Sequence, residues 1–196
     1  MEVRWNILRI TVPYNIGNLN EKKIDVLINK LNENGMKVSA RVNSPNGVIF
    51  VLGEGKDNLI LSSDQFTFIS TIGDNEFKWE EKKEKIKVVL DTFLIDDSLK
   101  YVFNVEGNSD TEDSHKESCT TYLKNSNGDI PRDTFGVGYR FLIKNNDFQG
   151  EYKIEPMIND KRKWYYQLIL NTNNNETLEH VIENIEKEIE ERFNIK

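Results

Sequence analysis

VRWNILRITV (Val3–Val12) and YVFNVE (Tyr101–Glu106) decide the fold of this chain, because each opens one of two matched runs of elements. In the first stretch Leu8, Ile10 and Val12 alternate with Trp5, Arg9 and Thr11. That period of two marks a half-buried strand, with Trp5 and the cation Arg9 expected on one face. Pro13 and Gly17 break the strand, and Asn20 suits a helix N-cap. Ile24, Leu27, Ile28 and Leu31 then recur at helical spacing until Gly35 ends the helix. Met36, Val38, Ala40 and Val42 alternate with Lys37, Ser39 and Arg41, predicting a second strand whose polar side carries Arg41. After the Pro45-Asn46-Gly47 turn, Val48–Leu52 is continuously apolar, which predicts a strand central in the sheet. Gly53-Glu54-Gly55-Lys56 fits a hairpin loop, since Walker spacing and a following Ser or Thr are both missing. Leu59 with Leu61, and Phe66 with Phe68, predict two antiparallel strands. A helix from Trp79 to Ile95 follows, with Ile86, Val89, Leu90, Phe93 and Leu94 as its buried stripe.

The second stretch repeats the order. Tyr101, Phe103 and Val105 alternate as a strand, and Ser109–Asn127 is polar enough for either a short helix or a long loop. Phe135, Val137, Tyr139, Phe141 and Ile143 alternate clearly, with Gly136, Gly138 and Arg140 opposite. Tyr152 with Ile154, then Trp164, Tyr166, Leu168 and Leu170, continue the sheet. Glu176–Phe193 is patterned as an amphipathic helix. The expectation is an α+β fold: two pseudo-repeated β-α-β(3-4)-α halves, 1–97 and 98–196. They would share one continuous, curved, mainly antiparallel sheet with helices on one face. Asp96-Asp97-Ser98 is too short to be a flexible linker, so the halves form one unit.

Composition narrows the function classes. A hydrophobic content of 37% with 30% charged residues still contains enough Ile, Val, Leu and aromatics for a folded core. No run approaches a membrane span, Met1–Trp5 enters a strand with no apolar leader, and the single Cys119 fits a reducing compartment. A cytoplasmic protein is the simplest expectation. The net charge of −7 argues against a general nucleic-acid binder. It is distributed unevenly: the last helix is rich in Glu, whereas the strands carry Arg4, Arg9, Lys37, Arg41, Arg140, Lys144 and Lys153.

Two constellations could carry chemistry. Glu112, His115 and Cys119 would share one face of a helix, a spacing that can hold a divalent metal. A structural zinc needs a fourth ligand, and no orienting or oxyanion motif accompanies the thiol–imidazole pair, so a solvated acidic segment is the plainer reading. No cofactor is implied. The second constellation is the sheet face away from the helices, expected to collect Trp5, Arg9, Arg41, Arg140, Lys153 and Gln167. Aromatics beside cations can stack bases and contact phosphates, and the same residue types anchor protein interfaces.

In element order the chain resembles the TATA-binding-protein-like fold, a strand–helix–four strands–helix unit that occurs as a tandem pair. The stretch Leu59–Phe68, the Trp79-led helix, Gly138-Tyr139-Arg140-Phe141 and Glu191-Arg192-Phe193 resemble a pattern in an uncharacterised, sporadically distributed bacterial protein family. That resemblance implies no activity. The sequence therefore leads first to a non-enzymatic interaction protein, monomeric or homodimeric, such as an acidic inhibitor or immunity-type protein meeting another protein. A nucleic-acid or nucleotide binder on the arginine face is the alternative. A metal-dependent or thiol enzyme at His115 and Cys119 is the third reading.

Overall fold

The segments that alternate in the sequence pair side by side in space. A computed structural model describes residues 3–73, 79–93, 100–123, 133–144, 146 and 148–172. In chain order these form β1 (Arg4–Pro13), α1 (Glu21–Glu33), β2 (Val38–Ser44), β3 (Gly47–Leu52), β4 (Asp57–Leu61) and β5 (Gln65–Thr71). There follow α2 (Trp79–Phe93), β6 (Tyr101–Asp110), α3 (Ser114–Leu123), β7 (Tyr139–Lys144), β8 (Phe148–Pro156) and β9 (Lys163–Thr172). All nine strands join one antiparallel sheet in the order β2-β3-β4-β5-β1-β6-β9-β8-β7. The architecture is thus α+β, with β1 and β6 at its centre.

One face of the sheet is dry. Phe50, Leu59, Phe68, Ile10, Phe103 and Leu170 succeed one another across six strands in register, each no more than 2% exposed. The helices cover that face. α1 buries Ile24, Leu27 and Leu31 at helical spacing, and α2 buries Ile86, Val89 and Leu90. Each such side chain contributes about 1.5–3 kcal/mol by leaving water, so the two stripes, more than intrinsic propensity, hold the helices down.

Local signals set the limits of α1. Asn20 Oδ1 accepts from the Lys23 amide at 3.0 Å, closing the N-terminus. At the other end Gly35 adopts φ 75°, the Gly35 amide donates to Asn32 O and the Met36 amide to Leu31 O. This is a Schellman cap, with Met36 folded into the core beside it.

Charged anchors reinforce the helix layer over β2–β5. Asp57, only 5% exposed, projects from β4 on the dry face. It accepts from Ser70 Oγ at 2.6 Å, from Lys82 Nζ at 3.2 Å and from Lys85 Nζ, tying β4 and β5 to α2. Burial pushes the Asp57 carboxyl up, but its hydrogen bonds to Lys85 and Ser70 and the charges of Lys82 and Lys85 outweigh that and hold it below the usual carboxylate range.

Three expectations change. Val48–Leu52 is not central: it is β3, next to the edge strand β2, and only Val48, Phe50 and Leu52 are buried. Its open-face neighbours Ile49 and Val51 are apolar for another reason, taken up below. The strand expected from Phe135 begins only at Tyr139, because the Val137 amide donates to Ser118 Oγ on α3 instead of a strand partner. Ser109–Asn127 is neither all helix nor all loop: Ser109 and Asp110 finish β6, and Ser114–Leu123 is α3. The expected junction Asp96–Ser98 and the helix Glu176–Phe193 lie outside the described residues.

Candidate interaction surface

The second face of the sheet is not covered by the described helices, and two β-bulges decide which side chains reach it. Between Trp5 and Ile7 the β1–β6 register shifts by one, leaving Asn6 as the extra residue. A one-residue shift exchanges the two faces. Trp5 therefore stands opposite Gly107 on the helix side, and Arg4 turns to the open side, where it pairs with Asp110. Gly107 is required there, since a Cβ on it would lie 3.0 Å from Trp5 Cε3 and 2.7 Å from Arg4 O. The second bulge, between Val38 and Ala40, does the same to β2. Arg41 sits opposite the buried Phe50, and its guanidinium makes two 2.8 Å hydrogen bonds to Glu21 in the first turn of α1.

The surface expected to hold Trp5, Arg9, Arg41, Arg140, Lys153 and Gln167 is therefore split. Trp5 and Arg41 belong to the helix side. Arg9, Arg140, Lys153 and Gln167 do share the open face, where Arg140, Lys153 and Gln167 form one network with Glu151 and Asn104 and Arg9 makes a separate pair. Arg9 pairs with Glu106. Gln167 Nε2 donates to Asn104 Oδ1 at 3.2 Å, and Lys153 Nζ donates to Gln167 Oε1 at 3.1 Å and lies 3.5 Å from Glu151. Arg140 Nε donates to Glu151 Oε2 at 2.6 Å. That hydrogen bond and the Arg140 charge hold the Glu151 carboxyl below its ordinary range despite its desolvation. Beside the network, burial first, then the Glu106 charge and the hydrogen bond to it, push the Tyr165 hydroxyl up to about 12.

The other half of the open face is different in kind. Val42, Ile49, Ile60, Thr67 and Thr11 follow one another across β2, β3, β4, β5 and β1. The neighbouring row is Ala40, Val51, Asn58 and Ile69. From Ala40 to Thr71 the open-face positions of β2–β5 carry no charged side chain. Val42 is 53% exposed, and the Thr11 and Thr67 hydroxyls bond each other at 3.0 Å across the strands. Uncharged β-branched side chains are unusual on the water side of an antiparallel sheet, where alternation normally places polar ones. Hydrophobic run length concealed this: Ile49 and Val51 look like core in the sequence and are instead half-buried on the open face.

The weak metal constellation does not assemble. Among the described residues no group of three or more His, Cys, Asp and Glu is placed to hold a metal ion. His115 Nε2 lies 2.9 Å from Met157 O, and because a carbonyl only accepts, this nitrogen carries the proton. The ring also meets Phe135 edge-on at 5.0 Å. Glu112 is exposed and Cys119 half-buried. Glu117, which the sequence places in the same acidic cluster, has a structural role instead. Its carboxylate accepts from Thr111 Oγ1, from the Asp113 amide at 3.3 Å and from Trp164 Nε1 at 3.2 Å, locking α3 to β9. Among the described residues no division between acidic helices and basic strands is seen, and the Glu-rich last helix on which that expectation rested lies outside them. In α1 Glu21, Asp25 and Glu33 balance Lys22, Lys23 and Lys30, and each strand arginine has a carboxylate partner.

No protein-family model matches the chain, and no curated protein matches it.

Proposed function

We propose that this is a non-enzymatic interaction protein that meets a protein partner through the uncharged half of its open sheet face. The observation that carries this reading is the contrast on that face, where β2–β5 present apolar, hydroxyl and amide side chains without charge. Protein interfaces are depleted in charge at their centre, and an apolar sheet face offers area with little desolvation cost. Nucleic acid is a poorer fit, because phosphate contact requires cations free to displace counterions. Here the open-face arginines Arg4, Arg9 and Arg140 are already neutralised by Asp110, Glu106 and Glu151.

The scaffold supports a further part of the same reading. Outward from the β1–β6 pair the strands run β5, β4, β3, β2 on one side and β9, β8, β7 on the other. This mirrored order favours two units of one plan, as in the tandem TATA-binding-protein-like arrangement, one unit keeping its open face uncharged for contact. The test is capture of partners from a lysate at low and high salt with wild type, Ile60→Lys and Arg140→Glu. The protein-partner reading expects capture that survives high salt and is lost in Ile60→Lys alone. Salt-sensitive nucleic-acid capture lost only in Arg140→Glu would overturn it in favour of a nucleic-acid function.

A further inference from the structure

A separate concavity lies on the helix side of the sheet. The β3–β4 turn Gly53–Lys56 approaches the α1–β2 corner at Gly35–Lys37, and α2 passes beside both, leaving a cleft of about 310 Å3. The ionisable side chains lining it are Lys37, Lys56, Lys82, Lys85, Glu54 and Asp57. Four lysines against two carboxylates make the cleft net positive in a chain whose net charge is −7.

Its geometry is fixed by backbone. The Gly53 amide donates to Lys37 O at 2.7 Å, the Gly55 amide to Leu52 O at 3.1 Å, and the Thr71 amide to Lys56 O at 2.9 Å. The main chain of both outer lysines is thereby pinned, and the left-handed Gly53 and Gly55 (φ 57° and 86°) let the turn close. Deeper in, the single Asp57 carboxylate faces two ammonium groups, whose side chains are only 15% and 24% exposed. One negative charge against two leaves a positive excess partly withdrawn from water. Such an excess is costly unless an anion completes it. Lys82 and Lys85 each direct one hydrogen bond to Asp57, and an ammonium has three. Lys37 and Lys56 are exposed and pair with no carboxylate among the described residues.

The chemistry of the lining selects the anion. Every cation is a lysine; the planar fork of arginine, suited to a carboxylate, is absent from the lining. Lysines carried on three separate elements around one cleft suit a tetrahedral dianion, which would also match the local excess charge. The volume is at the low end for ligand pockets, which run from about 300 to 1,000 Å3. We propose that this cleft binds the phosphoryl group of a small phosphomonoester, with Lys82 and Lys85, held by Asp57, beneath it and Lys37 and Lys56 at its mouth. The site is unlike a phosphate-binding loop, since ammonium groups and not a run of backbone amides supply its donors.

The test is a titration of the full chain with inorganic phosphate and with ribose 5-phosphate at low ionic strength, followed by amide NMR shifts. Acetate and chloride at matched ionic strength are the controls. Saturable shifts at Gly53, Gly55 and Lys37 are expected, with ribose 5-phosphate at least as tight as phosphate and neither control saturating. The Lys37→Gln/Lys56→Gln pair, exposed and outside the core, should weaken binding about fivefold or more, and Glu54→Gln should tighten it about twofold. Absence of saturation, equal saturation by acetate, or unchanged affinity in the double variant would overturn the site. Saturation by inorganic phosphate with exclusion of ribose 5-phosphate would overturn the ligand class.

Discussion

The two halves of the sheet keep their charge on opposite sides. Across β2–β5 the ionic contacts lie on the helix side, where Arg41 meets Glu21 and Asp57 holds Lys82 and Lys85, and the open face is uncharged. Across β6–β9 the order is reversed: Lys153, Glu151 and Arg140 link up on the open face, where Glu106 also pairs with Arg9 of β1. Among the described residues the helix side there is held by neutral donors such as Trp164 Nε1 and Ser114 Oγ. One sheet thus serves two surfaces. A half whose ions sit beneath the helices is free to expose an apolar face, and a half whose ions sit outside is already satisfied by its own chain.

The largest effects should come from moving charge or register within the first half. Deletion of Asn6 removes the bulge that turns Trp5 inward, so either Trp5 leaves the core or the β1 register slips. A loss of about 3 kcal/mol or more is expected in chemical denaturation. Asp57→Asn leaves two ammonium groups facing an uncharged amide and should cost about 3 kcal/mol. Because the folded Asp57 carboxyl lies below its ordinary value, its contribution is present above about pH 4 and is lost as pH falls through the folded value. The stability gap between wild type and Asp57→Asn should therefore be level at neutral pH and close on acidification below about pH 4. A gap that widens in acid would contradict this account of the anchor.

A charge placed on the uncharged face tests the contrast itself. Ile60→Lys is expected to abolish partner capture while costing about 1 kcal/mol or less of stability. If capture persists, the two halves do not differ in the way claimed. Smaller effects belong to the second half. Glu106→Gln removes the negative charge beside Tyr165 and leaves its burial, the larger cause, in place, so the phenol should titrate only part of the way down from about 12, by ultraviolet absorbance. The smallest is Arg140→Gln: no shift of the denaturation midpoint, with the Glu151 carboxyl returning upward to its ordinary range in an NMR titration.

Much of the fold was legible because burial imposes a period. Leu8, Ile10 and Val12, or Ile24, Leu27 and Leu31, could only be one face of a strand and one stripe of a helix, and that is where they lie. The Asn20 cap and the Gly35 stop were legible for the same local reason. The candidate surface was only half legible. Arg9, Arg140, Lys153 and Gln167 follow strand parity unbroken, whereas Trp5 and Arg41 lie beyond a bulge that reverses it. Gly107 hints at the first bulge, but only its position opposite Trp5, far along the chain, gives that glycine its meaning. Glu117 stood out only as one acid of a cluster; its role was not legible, because Trp164 lies far along the chain and is brought to it by sheet pairing.

By itself the sequence determined most of the element types, the α+β class and most of the core residues, because these follow from short-range periodicity, caps and the cost of exposing apolar surface. Tertiary structure alone decided which strands lie at the centre, which face each cation occupies and which carboxylate neutralises it. Those properties depend on register between distant strands. A single extra residue, Asn6 or Ser39, reverses a face at almost no cost to the local pattern that a sequence displays.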